Sequence, residues 1–340
     1  MKDLKIAVVN SSSFGRIFPE HLEKLKEFGT VERFDLPPDS KGKRLAEVLK
    51  GFQVIIASVT PFYDREFFEN QDDVVLITRH GIGYNNIDVD AATDKGVLIT
   101  RVPGEVEREA MAEHTITLML TVMRRIVPAF SDVKGSKWRD RARHVGFELR
   151  GKTVGVIGIG NIGSRVAEIL KTGFSVNVLA YDPKLSEDDI RRRGAVPVPL
   201  EELLRKSDVI TLHAPLTDET HHMIGEREFE LMKEGVVIVN TARGELIDTN
   251  ALMRALEKGK VFGVGMDVVE DEPIDGDHPL LKFENVVVVP HIGAYTFECL
   301  KGMGDKVVSD VEKIATGEIP GEVINPEVLE RGSRLDGLGR

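Results

Sequence analysis

Short apolar runs of strand length alternate along the chain with longer polar-punctuated segments of helical period. In the first hundred residues the runs are Leu4 to Val9, Val54 to Ser58, Val74 to Thr78 and Val97 to Thr100, with a helical pattern over Pro19 to Phe28. Strands alternating with helices predict a parallel sheet with helices on its faces. A second, longer series begins at Gly151, with strands at Val154, Val176, Val209, Val236, Val261 and Val286 and helical segments between most of them. That number suits a doubly wound sheet. Thr296 to Thr316 is helical in period and is followed by Pro320 and Pro326. A helix so late has no sheet of its own, so it is expected to return to the first domain. The chain then crosses twice, near Arg101 to Gly104 and near Pro290 to Tyr295. The expected domains are 1–102 plus 295–340, and 103–294.

The longest apolar helical pattern, Ala110 to Val127, carries Glu113, His114, Arg124 and Arg125. These charges make it a buried helix and exclude a membrane span. His114 lies on an apolar face and reads as a packing residue.

At 340 residues the chain exceeds the usual size of one core, which agrees with two domains. A net charge of −11 argues against a general nucleic-acid surface. The basic runs Arg139 to Arg143 and Arg191 to Arg193 read as solvated. Cys299 is the single cysteine, so no disulfide forms within the chain, and Met1 to Asn10 lacks the apolar core of a signal peptide. A cytoplasmic location is expected, with no membrane partner. No metal-ligand set stands out.

Gly158-x-Gly160-x-x-Gly163 follows the apolar run Thr153 to Ile157 and opens a helical stretch. Each glycine answers a demand of holding a dinucleotide. Gly158 permits the tight turn, Gly160 lets backbone approach a pyrophosphate, and Gly163 lets helix and strand pack closely. Asn161 and Ile162 lie at the helix start, where unpaired N–H groups favour an anion. Asp182, about twenty residues on, is placed to accept hydrogen bonds from a ribose, and its charge repels a 2′-phosphate. NAD is the expected cofactor.

Polar residues follow several strands of the second series: His213, Asn240 to Arg243, Asp267 and His291. Open parallel sheets bind ligands at their carboxyl ends, so these residues are expected to line a site. Arg243 follows a very apolar strand, and its fork of donors suits a carboxylate. The alternative is an arginine bridging backbone carbonyls in a tight turn. His291 can supply the proton that a keto group needs as it is reduced. A carboxylate partner would stabilise its charged form, and Glu270, Asp271 and Glu272 are all candidates.

Gly146-x-Glu148-Leu149-x-Gly151-Lys152-Thr153, His213-Ala-Pro-Leu-Thr217, Asn240-Thr-Ala-Arg-Gly-Glu245, Asp267-Val-x-x-x-Glu272-Pro273 and Pro290-His-Ile-Gly-Ala294 together resemble the D-isomer-specific 2-hydroxyacid dehydrogenase family. The resemblance extends to Gly81-Ile-Gly83-Tyr-Asn-Asn-Ile-Asp88 and so covers nearly the whole chain. It implies an α/β fold of two doubly wound parallel-sheet domains, a Rossmann NAD domain and a smaller flavodoxin-like substrate domain. It implies Arg243, Glu272 and His291 as the catalytic set, and singles out Glu272 because the family's glutamate directly precedes the proline. It places His213, Pro215, Thr241, Ala242, Asp267 and Gly293 beside the cofactor, with Asp267 toward the carboxamide. Backbone near Ile82 and Gly83, together with Arg243, is implied to hold the carboxylate of a 2-oxo acid. A homodimer is also implied, in which helix 108–127, too apolar to face water all round, buries against the partner's cofactor domain.

The reaction implied is reversible hydride transfer between NAD(H) and a small 2-hydroxy or 2-oxo acid. Among substrates, 3-phosphoglycerate leads over glyoxylate, hydroxypyruvate, D-lactate and sugar-derived 2-keto acids, because Arg79 resembles an arginine near the substrate phosphate. Against it, Pro103 to Glu113 departs from the asparagine-containing version of those enzymes and is acidic where an anion would approach. Formate oxidation fits poorly, since Glu272 stands where that branch resembles a Gln–His pair. An NAD(H)-sensing corepressor is the reading of another class, and would bind NADH without turnover.

Overall fold

The computed structural model describes residues 3–335. The chain divides into two compact units, Met1–Glu107 with Tyr295–Arg340, and Arg108–Ala294. The first boundary falls within helix Gly104–Met123, after Glu107 and not after Val102.

In the first unit five strands, β1 (Leu4–Val9), β2 (Gly29–Phe34), β3 (Val54–Ala57), β4 (Leu76–Arg79) and β5 (Leu98–Thr100), form one sheet in the order β2-β1-β3-β4-β5. All its pairings are parallel, as a flavodoxin-like winding requires. Strands β1, β3, β4 and β5 are near-continuous buried runs because helices cover both faces. One face packs Leu45, Leu49, Tyr63, Phe67 and Ala91. The other packs Leu25, Val307, Val311 and Ile314, so helix Phe297–Thr316 returns to this sheet. Asp310 fixes it there. Its buried carboxylate accepts from the Thr78 and Thr100 hydroxyls at 2.9 and 2.7 Å and from Lys306 Nζ at 2.6 Å. Burial pushes this carboxyl up despite those partners. Strand β2 is half-exposed at an edge and does not read as an apolar run.

The second unit has seven strands, β6 (Thr153–Ile157), β7 (Asn177–Tyr181), β8 (Val196–Pro197), β9 (Val209–Leu212), β10 (Val236–Asn240), β11 (Val261–Met266) and β12 (Val286–Val288). Their order is β12-β11-β10-β9-β6-β7-β8, again parallel throughout. The chain starts in the middle and winds outward both ways, so the order reverses beside β6, where the glycine turn begins. Helix Gly104–Met123 packs on this sheet through Ile116, Leu118, Met119, Val122 and Met123. Its close approach depends on two glycines of β11: a Cβ on Gly263 would lie 2.6 Å from Val122, and one on Gly265 3.1 Å from Leu118.

That packing corrects the expectation for helix 108–127. The helix is apolar because its own sheet covers it, and it ends at Met123. Arg125 turns left-handed (φ 51°), and a second helix, Ile126–Lys134, begins. Among the described residues no helix is long and apolar enough to cross a membrane.

Candidate active site

All of the residues that carry candidate chemistry in the second unit lie at the carboxyl ends of its strands. After β6, Gly158 has φ 82°, and a Cβ there would lie 2.7 Å from the Ala214 nitrogen. A Cβ on Gly163 would meet Gly158 O at 2.2 Å, whereas one on Gly160 would meet nothing within 4 Å. Two glycines therefore serve close packing, and the middle one keeps backbone open at the start of helix Asn161–Phe174. That is the cradle a pyrophosphate needs, with Asn161 and Ile162 opening the helix beside it. Asp182 follows β7 and ties itself to the same turn: Oδ2 accepts the Ile159 N–H at 3.1 Å and Oδ1 the Lys184 N–H at 3.0 Å. Arg193 Nη1 donates to Ile159 O at 2.5 Å. These residues fit NAD.

His213 follows β9. Its N–H donates to Ile157 O at 2.7 Å, and its Nε2 lies 2.9 Å from the Thr211 hydroxyl. Desolvation takes the imidazole down to about 4, so it is uncharged at neutral pH. Pro215 is exposed, and its carbonyl accepts the Thr220 hydroxyl at 2.7 Å.

The turn after β10 is closed by Asn240, whose Oδ1 accepts the Ala242 N–H at 3.0 Å and whose Nδ2 donates to Arg243 O at 2.8 Å. Thr241 is buried, its hydroxyl 2.9 Å from that of Thr115. Arg243 Nη1 donates to Ala242 O at 2.5 Å, so the guanidinium is oriented by its own turn. A Cβ on Gly244 would lie 2.0 Å from the Val269 carbonyl carbon. Glycine here lets the Arg243 turn lie directly against the segment that leads to Glu272.

Glu272 and His291 meet. Glu272 Oε2 lies 2.8 Å from His291 Nδ1, and Oε1 accepts the Val269 N–H at 3.0 Å. Both side chains are about one-third exposed, at 31% and 34%. Of the three acidic neighbours it is therefore Glu272 that reaches the imidazole. Glu270 turns elsewhere, to His222 Nε2 at 2.5 Å and the Thr249 N–H at 2.9 Å.

Asp267, after β11, holds the turn that presents His291. It is 1% exposed, and its oxygens accept the N–H groups of Ile292 at 2.7 Å and Gly293 at 2.9 Å. The His291 N–H donates to Asp267 O at 2.9 Å, and the His291 backbone is left-handed, with φ 54°. His114 Nε2 lies 3.2 Å from Asp267 Oδ1. Burial works to raise the Asp267 carboxyl, but the bonds from His114 and the two backbone N–H groups outweigh it and hold the group below its ordinary value. The packing role expected of His114 thus omitted its polar partner. A Cβ on Gly293 would lie 2.6 Å from Met111 Sδ and 2.8 Å from Asp267 Oδ2.

In the first unit, Arg79 ends β4 and precedes the loop 80–83. Its side chain is buried, Nε donating to Gly83 O at 2.5 Å and Nη1 to Ala57 O at 2.9 Å. The Ile82 N–H donates to Glu107 Oε1 at 3.0 Å. Of the two backbone groups expected to meet a carboxylate, that of Ile82 has a partner within its own unit. Of the arginines expected to be solvated, Arg143 grips both Glu284 oxygens, at 2.7 and 2.8 Å. Among the described residues no cluster suited to a metal occurs.

Residues 116–293 match the family model described as "D-isomer specific 2-hydroxyacid dehydrogenase, NAD binding domain". A glyoxylate reductase of Thermococcus litoralis is 37% identical over 321 residues, spanning 92% of this chain and 96% of that protein. A D-3-phosphoglycerate dehydrogenase of Archaeoglobus fulgidus is 42% identical over 278 residues, spanning 82% of this chain and 52% of that protein. The crystal structure of a D-lactate dehydrogenase from Aquifex aeolicus, complexed with NAD and lactic acid, matches with a TM-score of 0.81 at 33% identity, over 94% of this chain and 98% of that one. The glycine turn, the histidine–glutamate pair and these likenesses agree, and the chain belongs to the D-isomer-specific 2-hydroxyacid dehydrogenases, NAD-dependent oxidoreductases acting on 2-hydroxy acids.

Proposed function

We propose that this protein is an NADH-dependent reductase of a small 2-oxo acid, with glyoxylate the leading substrate and hydroxypyruvate the next. The observation that carries the reading is the contact between His291 Nδ1 and Glu272 Oε2. With Nδ1 committed to a carboxylate, Nε2 is the nitrogen left to serve a substrate oxygen. Held along Gly158 to Gly163, the dinucleotide would supply a hydride for the carbonyl carbon. As the carbonyl oxygen becomes an alkoxide, His291 Nε2 gives it a proton, and the product is the 2-hydroxy acid. Glu272 stabilises the imidazolium before that transfer and holds the ring's tautomer after it. In the oxidative direction the neutral imidazole takes the proton. Arg243, aimed by Ala242 O, grips the substrate carboxylate. Thr241, Ala242, His213 and Pro215 would line the cofactor, with Asp267 on the side of its carboxamide.

Two observations favour glyoxylate over 3-phosphoglycerate, which leads on sequence grounds. The Arg79 guanidinium, the group expected beside a phosphate, is buried and engaged with two backbone carbonyls. Relatives named glyoxylate reductase are also matched over more than nine-tenths of this chain. Steady-state kinetics with NADH and a panel of glyoxylate, hydroxypyruvate, pyruvate and phosphohydroxypyruvate test the reading. It fails if the phosphorylated acid is the best substrate by kcat/KM, or if none is reduced.

The protein is also proposed to be a homodimer. Ile126, Val127, Phe130, Val133, Trp138 and Val145, all beyond the buried helix, are between 45% and 75% exposed. So many large apolar side chains within about twenty residues exceed the scatter normal for a surface, and a second copy suits them. A monomer by sedimentation would count against it. A cytoplasmic setting suits the single buried thiol of Cys299.

A further inference from the structure

Two residues before Glu272, Glu270 makes a second histidine–carboxylate contact on the same loop. Its Oε1 accepts from His222 Nε2 at 2.5 Å, and its Oε2 accepts the Thr249 N–H at 2.9 Å. Burial works to raise the Glu270 carboxyl, but the bonds from Thr249 and His222 outweigh it and hold the group below its ordinary value. Glu270 is therefore an anion at neutral pH and takes Nε2 as a donor. His221 stacks on the same imidazole, 4.0 Å between centroids and 28° between planes. The main chain of His222 is left-handed, with φ 52°, and its N–H donates to Glu245 O at 2.7 Å, two residues past Arg243.

His222 also ends a braced segment that follows β9. Thr220 Oγ1 donates to Pro215 O at 2.7 Å and accepts the Thr217 N–H at 2.8 Å, and the His221 N–H donates to Thr217 O at 2.9 Å. The connections that leave β9, β10 and β11 thus meet at one residue, and all of these contacts lie within the second unit. With side chains 38% and 21% exposed, the His222–Glu270 pair contributes little to global stability. What it fixes is the path of the loop into Glu272, whose Oε1 accepts the Val269 N–H and whose Oε2 meets His291 Nδ1.

We infer that His222 is a positioning residue for the reaction: through Glu270 it holds the loop that aims Glu272 at His291, against an Arg243 turn to which its own backbone is bound. The inference rests on the acid–base roles proposed above for Glu272 and His291. The two bonds of His222 separate its effects. Any side chain at this position keeps the N–H to Glu245 O, so removing the imidazole releases the Glu272 loop and leaves the Arg243 turn tied. The loss is then confined to proton transfer. A misplacement of about 1 Å costs roughly 100-fold in rate, and a loosened loop costs part of that.

His222→Asn and His222→Gln test it. Asparagine rests easily at φ 52°, but its amide falls short of the place of Nε2, whereas the glutamine amide reaches it. In His222→Asn, kcat for glyoxylate reduction is expected to fall roughly tenfold, while KM for glyoxylate and the dissociation constant of NADH stay close to those of wild type. His222→Gln is expected to recover most of kcat. Placed on Glu272→Gln, His222→Asn is expected to cost little more, because the residue it acts through has already lost its charge. Amide exchange across residues 267–274, read by mass spectrometry, is expected to quicken in His222→Asn and not in His222→Gln. The role of His222 is overturned, and the reaction left standing, by native kcat in His222→Asn, by equal losses in the two variants, or by a His222→Asn loss as large in Glu272→Gln as in wild type. A wild type that reduces no 2-oxo acid removes the proton-transfer reading instead. Exchange then decides His222 by itself: quickening only in His222→Asn upholds its hold on the loop, and no change overturns it.

Discussion

Asp267 Oδ1 receives the Ile292 N–H at 2.7 Å and lies 3.2 Å from His114 Nε2, so a residue of helix Gly104–Met123 and the turn bearing His291 share one buried oxygen. The other oxygen takes the Gly293 N–H. Replacing Asp267 by Asn presents amide hydrogens toward at least one of these donors and leaves it unsatisfied, at about 1–3 kcal/mol. Asp267→Asn is therefore expected to lower the melting temperature and, by loosening the turn, kcat as well. His114→Leu spares both backbone bonds and is expected to cost less. Native melting and native kcat in Asp267→Asn would show that the turn does not depend on it.

The division of labour between Glu272 and His291 predicts different losses. His291→Ala removes the proposed proton donor, and kcat is expected to fall roughly 10²–10⁴-fold. Glu272→Gln keeps an oxygen for the Val269 N–H but removes the charge that favours imidazolium. Its kcat is expected to fall, but by less than in His291→Ala, since the ring itself remains. Steady-state kinetics decide it, and a native kcat in Glu272→Gln removes Glu272 from the mechanism.

Coenzyme preference should rest on Asp182. Its charge stands at the end of β7 while Arg193 reaches the same turn through Ile159 O. In Asp182→Asn the repulsion of a 2′-phosphate is lost and the guanidinium remains. The ratio of kcat/KM for NADPH to that for NADH is expected to rise at least about tenfold, a single unscreened charge contact being on the order of 1.4 kcal/mol. A constant ratio would mean that something other than Asp182 excludes the phosphate.

Acid stability should be set in part by two buried imidazoles. Burial, reinforced by the nearby Arg79 and His21, takes His80 down to about 3, and desolvation takes His213 down to about 4. Both folded values lie below the unfolded value of about 6.5, so between them the unfolded chain binds more protons. Their contribution is complete above that value and is lost as pH falls from it toward 4 and 3. At pH about 5 each group is expected to have cost on the order of 2 kcal/mol. His80 Nε2 has no hydrogen-bond partner. In His80→Leu the fall of melting temperature between neutral pH and about pH 5 should therefore be shallower than in wild type. An equal slope would show that His80 does not report the acid transition.

The strands that the sequence announced are those buried on both faces, such as Val236 to Asn240, because only they read as unbroken apolar runs. Strand β2 and the two-residue β8 lie at sheet edges, half in water, and their mixed composition resembles a loop. The glycine turn was legible because each of its three positions has a distinct steric reason, and the surroundings of Gly158, Gly160 and Gly163 differ accordingly. The excess apolarity of Ala110 to Val127 was visible, but not what covers it. The covering surface is β11, about 140 residues away, and the signal lay in its paired glycines, Gly263 and Gly265. The choice of Glu272 among three acids needed family resemblance, since three neighbouring carboxylates look alike until the chain is folded. The link from His114 to Asp267 and that from Glu107 to Ile82 were hidden for the same reason: each joins groups whose proximity depends on the register of distant elements.

The left-handed backbone of His291 has a consequence for how this protein can be improved. A side chain with a β-carbon at φ 54° is held against its own preference, at about 1–3 kcal/mol, and glycine or asparagine would rest there more easily. The residue proposed to move the proton is therefore also a local debt in folding free energy, which Asp267 and its neighbours hold in place. His291→Gly would relieve that strain but remove the contact with Glu272 and the proposed acid together, so a melting curve alone would not report what the substitution costs.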